Sequence, residues 1–347
     1  MREIIDILEK WTAAGESIAV GSIVERVGSA PRDPGAALAV SSSGEIAGGV
    51  TGGCVEPALI REATEVLNGA PGRLVHYGLD DDGGFETGLN CGGQIAVAVS
   101  RLEPEHIAQL AGAFRADRPV ASLVRLSEHE FGKRYVLFDA ATVEDAALST
   151  AIGALLEMGG CAIVETSAGG AVFIEAFAPR PNMYLFGASE HVGALVPIGK
   201  RLGYRVTVCD PRRAFLTRER FPDADELSDD WPDRFLARAP IDARTAICMM
   251  THDMRFEVPA LALALASPAG FIGAMGSHKV RVERTARLRE LGAGEADLAR
   301  LHAPLGIQIG ARTPDEVAVT IAAQLIEANV IARAKHDAAF TRTTVLS

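Results

Sequence analysis

Aromatic residues are scarce in this chain, and so is any run of one charge sign. Phe, Trp and Tyr make up 5% of the 347 residues, and the formal net charge is -11. The arginines are scattered, with no basic stripe to neutralise a phosphate backbone, so nucleic acid is not an expected partner. No CxxC pair occurs. The five cysteines (54, 91, 161, 209 and 248) are odd in number and widely spaced, which suits reduced thiols better than a disulfide framework or a zinc site. The opening stretch "MREIIDILEKW" is amphipathic and carries both charge signs, so it does not read as a secretory signal. The longest uncharged run, 258–277, has the length of a membrane span, but Pro259, Pro268 and three glycines cut it into a short helix and a short strand. No membrane segment is expected, and the cytoplasm is the simplest compartment.

What is present is apolar material, 48% of residues against 23% charged, in a length that calls for two domains rather than one core. The spacing of Ile4, Ile5, Leu8 and Trp11 predicts an opening helix that stops at Gly15. "SIAVGSIVERV" and "GAALAVSSSGEIAGGV" read as strands, the second broken by a turn at Ser43-Gly44. "VEPALIREATEVLNG" reads as a helix with Pro57 in its first turn, Leu59, Ala63 and Leu67 on one face, and Gly69 as terminator. "GRLVHYGL" and "QIAVAVSRL" flank an acidic loop, and 104–178 alternates helix, two strands, helix, two strands. The prolines of "APRPN" mark a boundary. Beyond it, the apolar strands "MYLFG", "YRVTVCD", "TAICMMT" and "GFIGAMG" alternate with helices, the pattern of a buried parallel sheet. A long last helix is predicted over roughly 315–333. The expected fold class is therefore α/β: an N-terminal α+β domain over 1–178 followed by a C-terminal Rossmann-like parallel-sheet domain over 179–347.

The most unusual local feature is "GGVTGGCVE", 48–56, which frames Cys54 with four glycines just ahead of a predicted helix. A helix N-terminus should favour a thiolate, and the glycines strip away cover. A thiolate there could attack, ligate a soft metal or carry sulfur. Glu56 could serve as a proton acceptor or simply as a first-turn residue. Cys91 repeats the framing with Gly92 and Gly93, which makes a site shared with Cys54 and its neighbours Gly52 and Gly53 plausible. In "GSAPRDPG", Ser29 and Arg32 sit in a proline-stiffened loop, where the guanidinium could fork onto phosphate or carboxylate.

The second half opens like a dinucleotide-binding unit, with Asp210 ending its second strand where a ribose-binding acid belongs. Its glycine fingerprint is incomplete, because Gly187 is followed by Ser189 and Val192 where two further glycines would stand. Glu190 adds a carboxylate beside the helix start that should receive phosphate. Ser277, in "GAMGSHK", either helps Lys279 bind an anion or caps a helix. His252 and Asp253, past the strand "TAICMM", could do acid-base work.

On "GSAPRDPG", "GGVTGGCVEPAL", "GLNCGGQIAV", "GASEHVGAL", "THDMRFEVPAL", "FIGAMGSHKVRVERTARLRELG" and "HAPLGIQIGARTPDEVAVTIAAQLI", the chain resembles the xanthine dehydrogenase accessory family, XdhC/CoxI, over nearly its whole length. The resemblance implies a maturation factor that binds molybdenum cofactor (molybdopterin), protects it while sulfur is installed, and delivers it to a molybdenum hydroxylase such as xanthine or carbon monoxide dehydrogenase. It implies a cysteine desulfurase and self-association as further partners, with Cys54 as a candidate molybdenum ligand and Cys91 at the family's CGG position. Where many relatives read GAGHVA this chain reads "GASEHV". The competing expectation is an NAD(P)-dependent oxidoreductase using Asp210 and His252.

Overall fold

The computed structural model describes residues 1–78, 92–251 and 253–337. The described residues divide into two compact units, Met1–Pro179 and 180–337.

The first unit is built on two antiparallel sheets. One has the order β3-β2-β1-β5-β4, from β1 (Ile18–Val27), β2 (Ala37–Ser41), β3 (Ile46–Gly48), β4 (Arg73–Tyr77) and β5 (Gln94–Arg101). Its central strand β1 is buried on both faces along most of its length, because helices cover each side. Ile18 and Val20 point toward α1 (Ile5–Ala13) and α3 (Pro104–Arg115), whereas Ala19 and Ile23 point toward α2 (Glu56–Leu67). Alternation along a strand sends successive side chains to opposite faces, so one apolar run serves both cores. Gly21 is what lets α2 settle, since a Cβ there would stand 2.6 Å from a methyl of Leu59. The buried face of α2 is Leu59, Ala63 and Val66, with Leu67 only half-buried, a rotation of one residue from the stripe expected.

The second sheet has the order β7-β6-β9-β8, from β6 (Val120–Arg125), β7 (Arg134–Leu137), β8 (Gly160–Glu165) and β9 (Ala171–Phe177). The helix α4 (Ala146–Met158) covers it through Ile152, Leu155 and Leu156, with Asp145 capping its start by accepting from the Leu148 amide at 2.9 Å.

The second unit carries a six-stranded, wholly parallel sheet of order β12-β11-β10-β13-β14-β15. Its strands are β10 (Asn182–Phe186), β11 (Arg205–Cys209), β12 (Glu226–Ser228), β13 (Ala246–Met249), β14 (Phe271–Ala274) and β15 (Leu301–His302). The helices between and after them are α5 (Glu190–Arg201), α6 (Pro232–Leu236), α7 (Met254–Ala266), α8 (His278–Glu290), α9 (Glu295–Ala299) and α10 (Pro314–Asp337). Met183 and Leu185 face α5 and α10, while Tyr184 and Phe186 face α6 and α7. The order reverses between β10 and β13, so the crevice beyond their carboxyl ends is the ligand-binding position of a doubly wound sheet. This is the Rossmann-like architecture expected. No helix among the described residues is long and apolar enough to cross a membrane.

Candidate functional site

The segment between β3 and α2 is tied down at both ends and bare in the middle. Val50 and Val55 are buried in the core under α2, whereas Gly52, Gly53 and Cys54 are exposed. Gly52 and Gly53 have φ of +83° and +129°, a region other residues enter only under strain, and open space surrounds both. The loop closes around Glu56. Its Oε1 accepts from the amides of Val50 (3.0 Å), Thr51 (2.7 Å) and Gly52 (2.9 Å). Its Oε2 accepts from the Gly53 amide (2.8 Å) and the Thr51 hydroxyl (2.7 Å). The Thr51 hydroxyl in turn accepts from the Val55 amide at 3.2 Å. Successive amides turned onto one anion form a nest, here filled by the chain's own carboxylate. Partial burial pushes the Glu56 carboxyl up, but the Thr51 hydroxyl and the loop amides outweigh it and bring it to about 2. A carboxylate so saturated is a poor base, which corrects the idea of Glu56 as proton acceptor. It positions the loop that presents Cys54.

Two other glycine-bearing segments meet this one or each other. Arg32 donates to the Gly49 carbonyl at 3.2 Å and to Glu3 Oε2 at 2.7 Å, so its fork joins "GSAPRDPG" to the Cys54 loop instead of standing free for an anion. The Arg32 hydrogen bond holds the Glu3 carboxyl below its ordinary value. Ser29 crosses Gly93 so closely that a Cβ on Gly93 would fall 2.1 Å from the Ser29 carbonyl oxygen. Gly92, at φ +72°, has open space around it. Cys91 lies outside the described residues, as do Asp80, Asp81, Asp82, Glu86 and His252. Behind 31–37 is a cavity of about 470 Å³ in which Cys161 Sγ lies 3.4 Å from the Pro34 carbonyl and Glu175 is 7% exposed. Cys161 and Glu175 carried no signal in the sequence beyond membership of ordinary strands.

In the second unit, the residues expected to hold a dinucleotide are turned to other work. Gly187 (φ +114°) passes the Met250 carbonyl, where a Cβ would come within 3.1 Å. Ser189 caps α5 through the Val192 amide at 3.4 Å, and Glu190 is bound by Arg220 at 2.8 Å. Asp210 is 2% exposed; Oδ2 accepts from the Ala188 amide (2.7 Å) and Arg212 Nη2 (2.7 Å), Oδ1 from the Arg212 amide (2.9 Å) and Nε (3.0 Å). Burial pushes Asp210 up, but Arg212 and the amides outweigh it and lower it. With both oxygens spent on Ala188 and Arg212, Asp210 has no lone pair directed at a ribose, which corrects that expectation. Ser277 caps α8 through the Val280 amide at 3.4 Å, the ordinary explanation of the two considered for it. Asp253 caps α7 through the Arg255 amide at 3.1 Å and pairs with the Arg255 side chain.

Beneath this surface Glu257 and Arg284 form an ion pair at 2.5 Å with both side chains 1% exposed. Burial pushes Glu257 up to about 7 against the pull of Arg284. Arg284 also donates to the Met275 carbonyl at 2.6 Å. Among the described residues no group of three or more His, Cys, Asp or Glu is placed to hold a metal. A single exposed thiol on an open glycine loop fits a metal that arrives with its other ligands already attached, and does not fit a bare ion.

Residues 183–325 match the model of the XdhC Rossmann domain, and residues 11–78 match that of the XdhC and CoxI family. The chain is 26% identical over 328 residues to the molybdenum cofactor insertion chaperone PaoD of Escherichia coli strain K12, covering 93% of this chain and 87% of that one. It is 25% identical over 322 residues to a probable xanthine dehydrogenase subunit of Bacillus subtilis strain 168, covering 90% and 93%. A crystal structure described as a xanthine dehydrogenase from Bacillus halodurans has the same fold, with a TM-score of 0.70 at 24% identity over 95% of this chain and 96% of that one.

Proposed function

Because the chain belongs to the XdhC and CoxI family, we propose that it is an accessory factor that binds molybdenum cofactor and passes it to a molybdenum hydroxylase, without itself turning over that enzyme's substrate. The relatives named as a cofactor insertion chaperone and as a xanthine dehydrogenase subunit support the accessory role. The observation that carries the site is the exposed Cys54 on a loop whose amides are gathered by Glu56. A soft thiolate suits molybdenum or a sulfur atom in transit, and an open, glycine-lined loop admits a bulky ligand. When bound, the cofactor supplies the redox-active metal that its client needs. This chain's part is to offer the thiol, hold the loop in shape through Glu56 and Arg32, and keep Gly92 and Gly93 close to Ser29.

Sulfur supply by a cysteine desulfurase and self-association of the chain belong to the same proposal and rest on the family resemblance. A cytoplasmic location goes with it, supported by the exposed, reduced thiol of Cys54. The nicotinamide-dependent alternative is disfavoured by the engagement of Asp210 with Arg212 and of Glu190 with Arg220.

The test is cofactor retention. The chain incubated with molybdenum cofactor and passed through a desalting column should carry molybdenum and pterin together, and Cys54→Ala should carry markedly less. Equal retention by the two proteins would remove Cys54 from the site.

A further inference from the structure

We propose that the outward face of α10 is a docking surface for a second copy of this chain, with the two α10 helices packed antiparallel about a two-fold axis. This surface gives a place to the self-association named in the proposed role and rests on that reading.

The last helix has two apolar faces. Ala318, Ile321 and Leu325 are buried in the core that α10 shares with α5. On the other side Val319, Ile326 and Val330 are 56%, 48% and 58% exposed, with Ala323 half-buried among them. At 3.6 residues per turn these four positions fall within an arc of about 60°. Their spacing is that of the a and d positions of a coiled-coil seam. A helix that gives one side to a core should be polar on the other, so large β-branched side chains in line on the outside call for a partner.

The order of residues along this face says which partner. Glu316 stands three residues before Val319, and Arg333 three residues beyond Val330 on the same helix, so both continue the seam spacing. Glu316 is exposed, and its Oε2 accepts from the amides of Arg312 (2.8 Å) and Thr313 (3.1 Å). Those amides hold its carboxyl below the ordinary value, which keeps an anion at the start of the seam. The series Glu316, Val319, Ala323, Ile326, Val330, Arg333 is its own complement when reversed. Antiparallel packing brings Val319 level with Val330, the small Ala323 level with the large Ile326, and position 316 level with position 333, an acid with a base. The two-fold axis repeats each match, as an isologous interface requires. Parallel packing in register would set acid against acid and base against base, which is repulsive. An unrelated partner gives no reason for a face that complements itself.

Sedimentation equilibrium of the full chain, over a concentration series spanning the micromolar range, reads the association. The wild type should form dimers. Ile326→Glu, at an exposed position, should weaken the dimer by at least roughly tenfold while the circular dichroism spectrum stays unchanged. Val319→Asp and Val330→Lys should each weaken self-association. Mixed together, these two variants should associate more tightly than either does alone, because antiparallel packing sets the new acid against the new base in one layer and leaves valine against valine in the other. A wild type that stays monomeric throughout, an Ile326→Glu chain that dimerises as tightly as wild type, or a mixture that associates no better than its components would each overturn the surface. Cofactor retention is measured apart from this. A monomeric chain that still carries molybdenum and pterin overturns the surface and leaves the accessory role standing, whereas a dimer that retains no cofactor does the reverse.

Discussion

Glu56 holds Thr51 by both ends: the Thr51 amide donates to Oε1 and the Thr51 hydroxyl to Oε2, each at 2.7 Å. Through that grip a helix first-turn carboxylate fixes the loop preceding its own helix, and Cys54 is carried on the fixed loop. The thiol's setting therefore depends on an acid that never needs to meet the ligand.

Glu56→Ala leaves the amides of Val50, Thr51, Gly52 and Gly53 without their acceptor. The exposed members can turn to water, so the loss of stability should be about 1.5–3 kcal/mol, the range for a hydrogen bond to a charged group. Chemical denaturation gives the stability. Alkylation of Cys54 by iodoacetamide should change in rate in the same variant. Glu56→Gln keeps one acceptor oxygen but points an amide donor at the loop, so it should fall between the two.

Acid should loosen the same loop. The folded Glu56 carboxyl sits near 2, below the 4.5 of the unfolded chain, so the folded state favours the ionised form. Its stabilising contribution is complete above pH 4.5 and is lost as pH falls from there through about 2. Hydrogen exchange at the Thr51 and Gly53 amides, corrected for intrinsic rates, should show protection falling across that window in the wild type. In Glu56→Ala the protection should be low throughout.

Gly93 is a site of close approach. In Gly93→Ala the new methyl would meet the Ser29 carbonyl oxygen at 2.1 Å, and backbone on both sides would have to move. A loss of about 2–3 kcal/mol is expected, in the range of overpacking in a well-packed site. Gly44 is the control: it has a positive φ of +89° but nothing within 4 Å, so Gly44→Ala should cost about 1 kcal/mol from backbone strain alone. Thermal unfolding of the two variants should separate by several degrees.

The pair Glu257 and Arg284 makes a prediction about the second unit alone. Glu257→Ala strands a guanidinium that is 1% exposed and should cost about 3–5 kcal/mol. The double variant Glu257→Leu, Arg284→Met removes both charges and should cost less than Glu257→Ala. A double-mutant comparison by chemical denaturation checks it.

The fold was largely legible in the sequence, and the sites only in part. Period-two and helical spacings marked β1, β2, α1 and α2, and alternating apolar strands and helices announced the parallel sheet from Met183 onward. Those signals are local, carried by neighbouring residues. What the sequence hid is where polar groups spend their hydrogen bonds. Asp210 stands at the right place for a ribose and Glu56 at a plausible place for a base, but their positions alone could not say that backbone amides and Arg212 already hold them. The Glu257 to Arg284 pairing joins two helices through the interior, and neither residue's neighbours predict it. The missing second glycine at Ser189 was the exception, a departure from the dinucleotide pattern visible in the sequence itself.

In the proposed role this chain carries molybdenum cofactor to a client. Its most direct measurement is reconstitution of a cofactor-free molybdenum hydroxylase with cofactor supplied either bound to the chain or free in solution. Cofactor delivered by wild-type chain should restore more hydroxylase activity than the same amount of free cofactor under oxidising conditions, and Cys54→Ala should forfeit that advantage. Equal activation by free and chain-bound cofactor, with wild type and Cys54→Ala alike, would contradict that role.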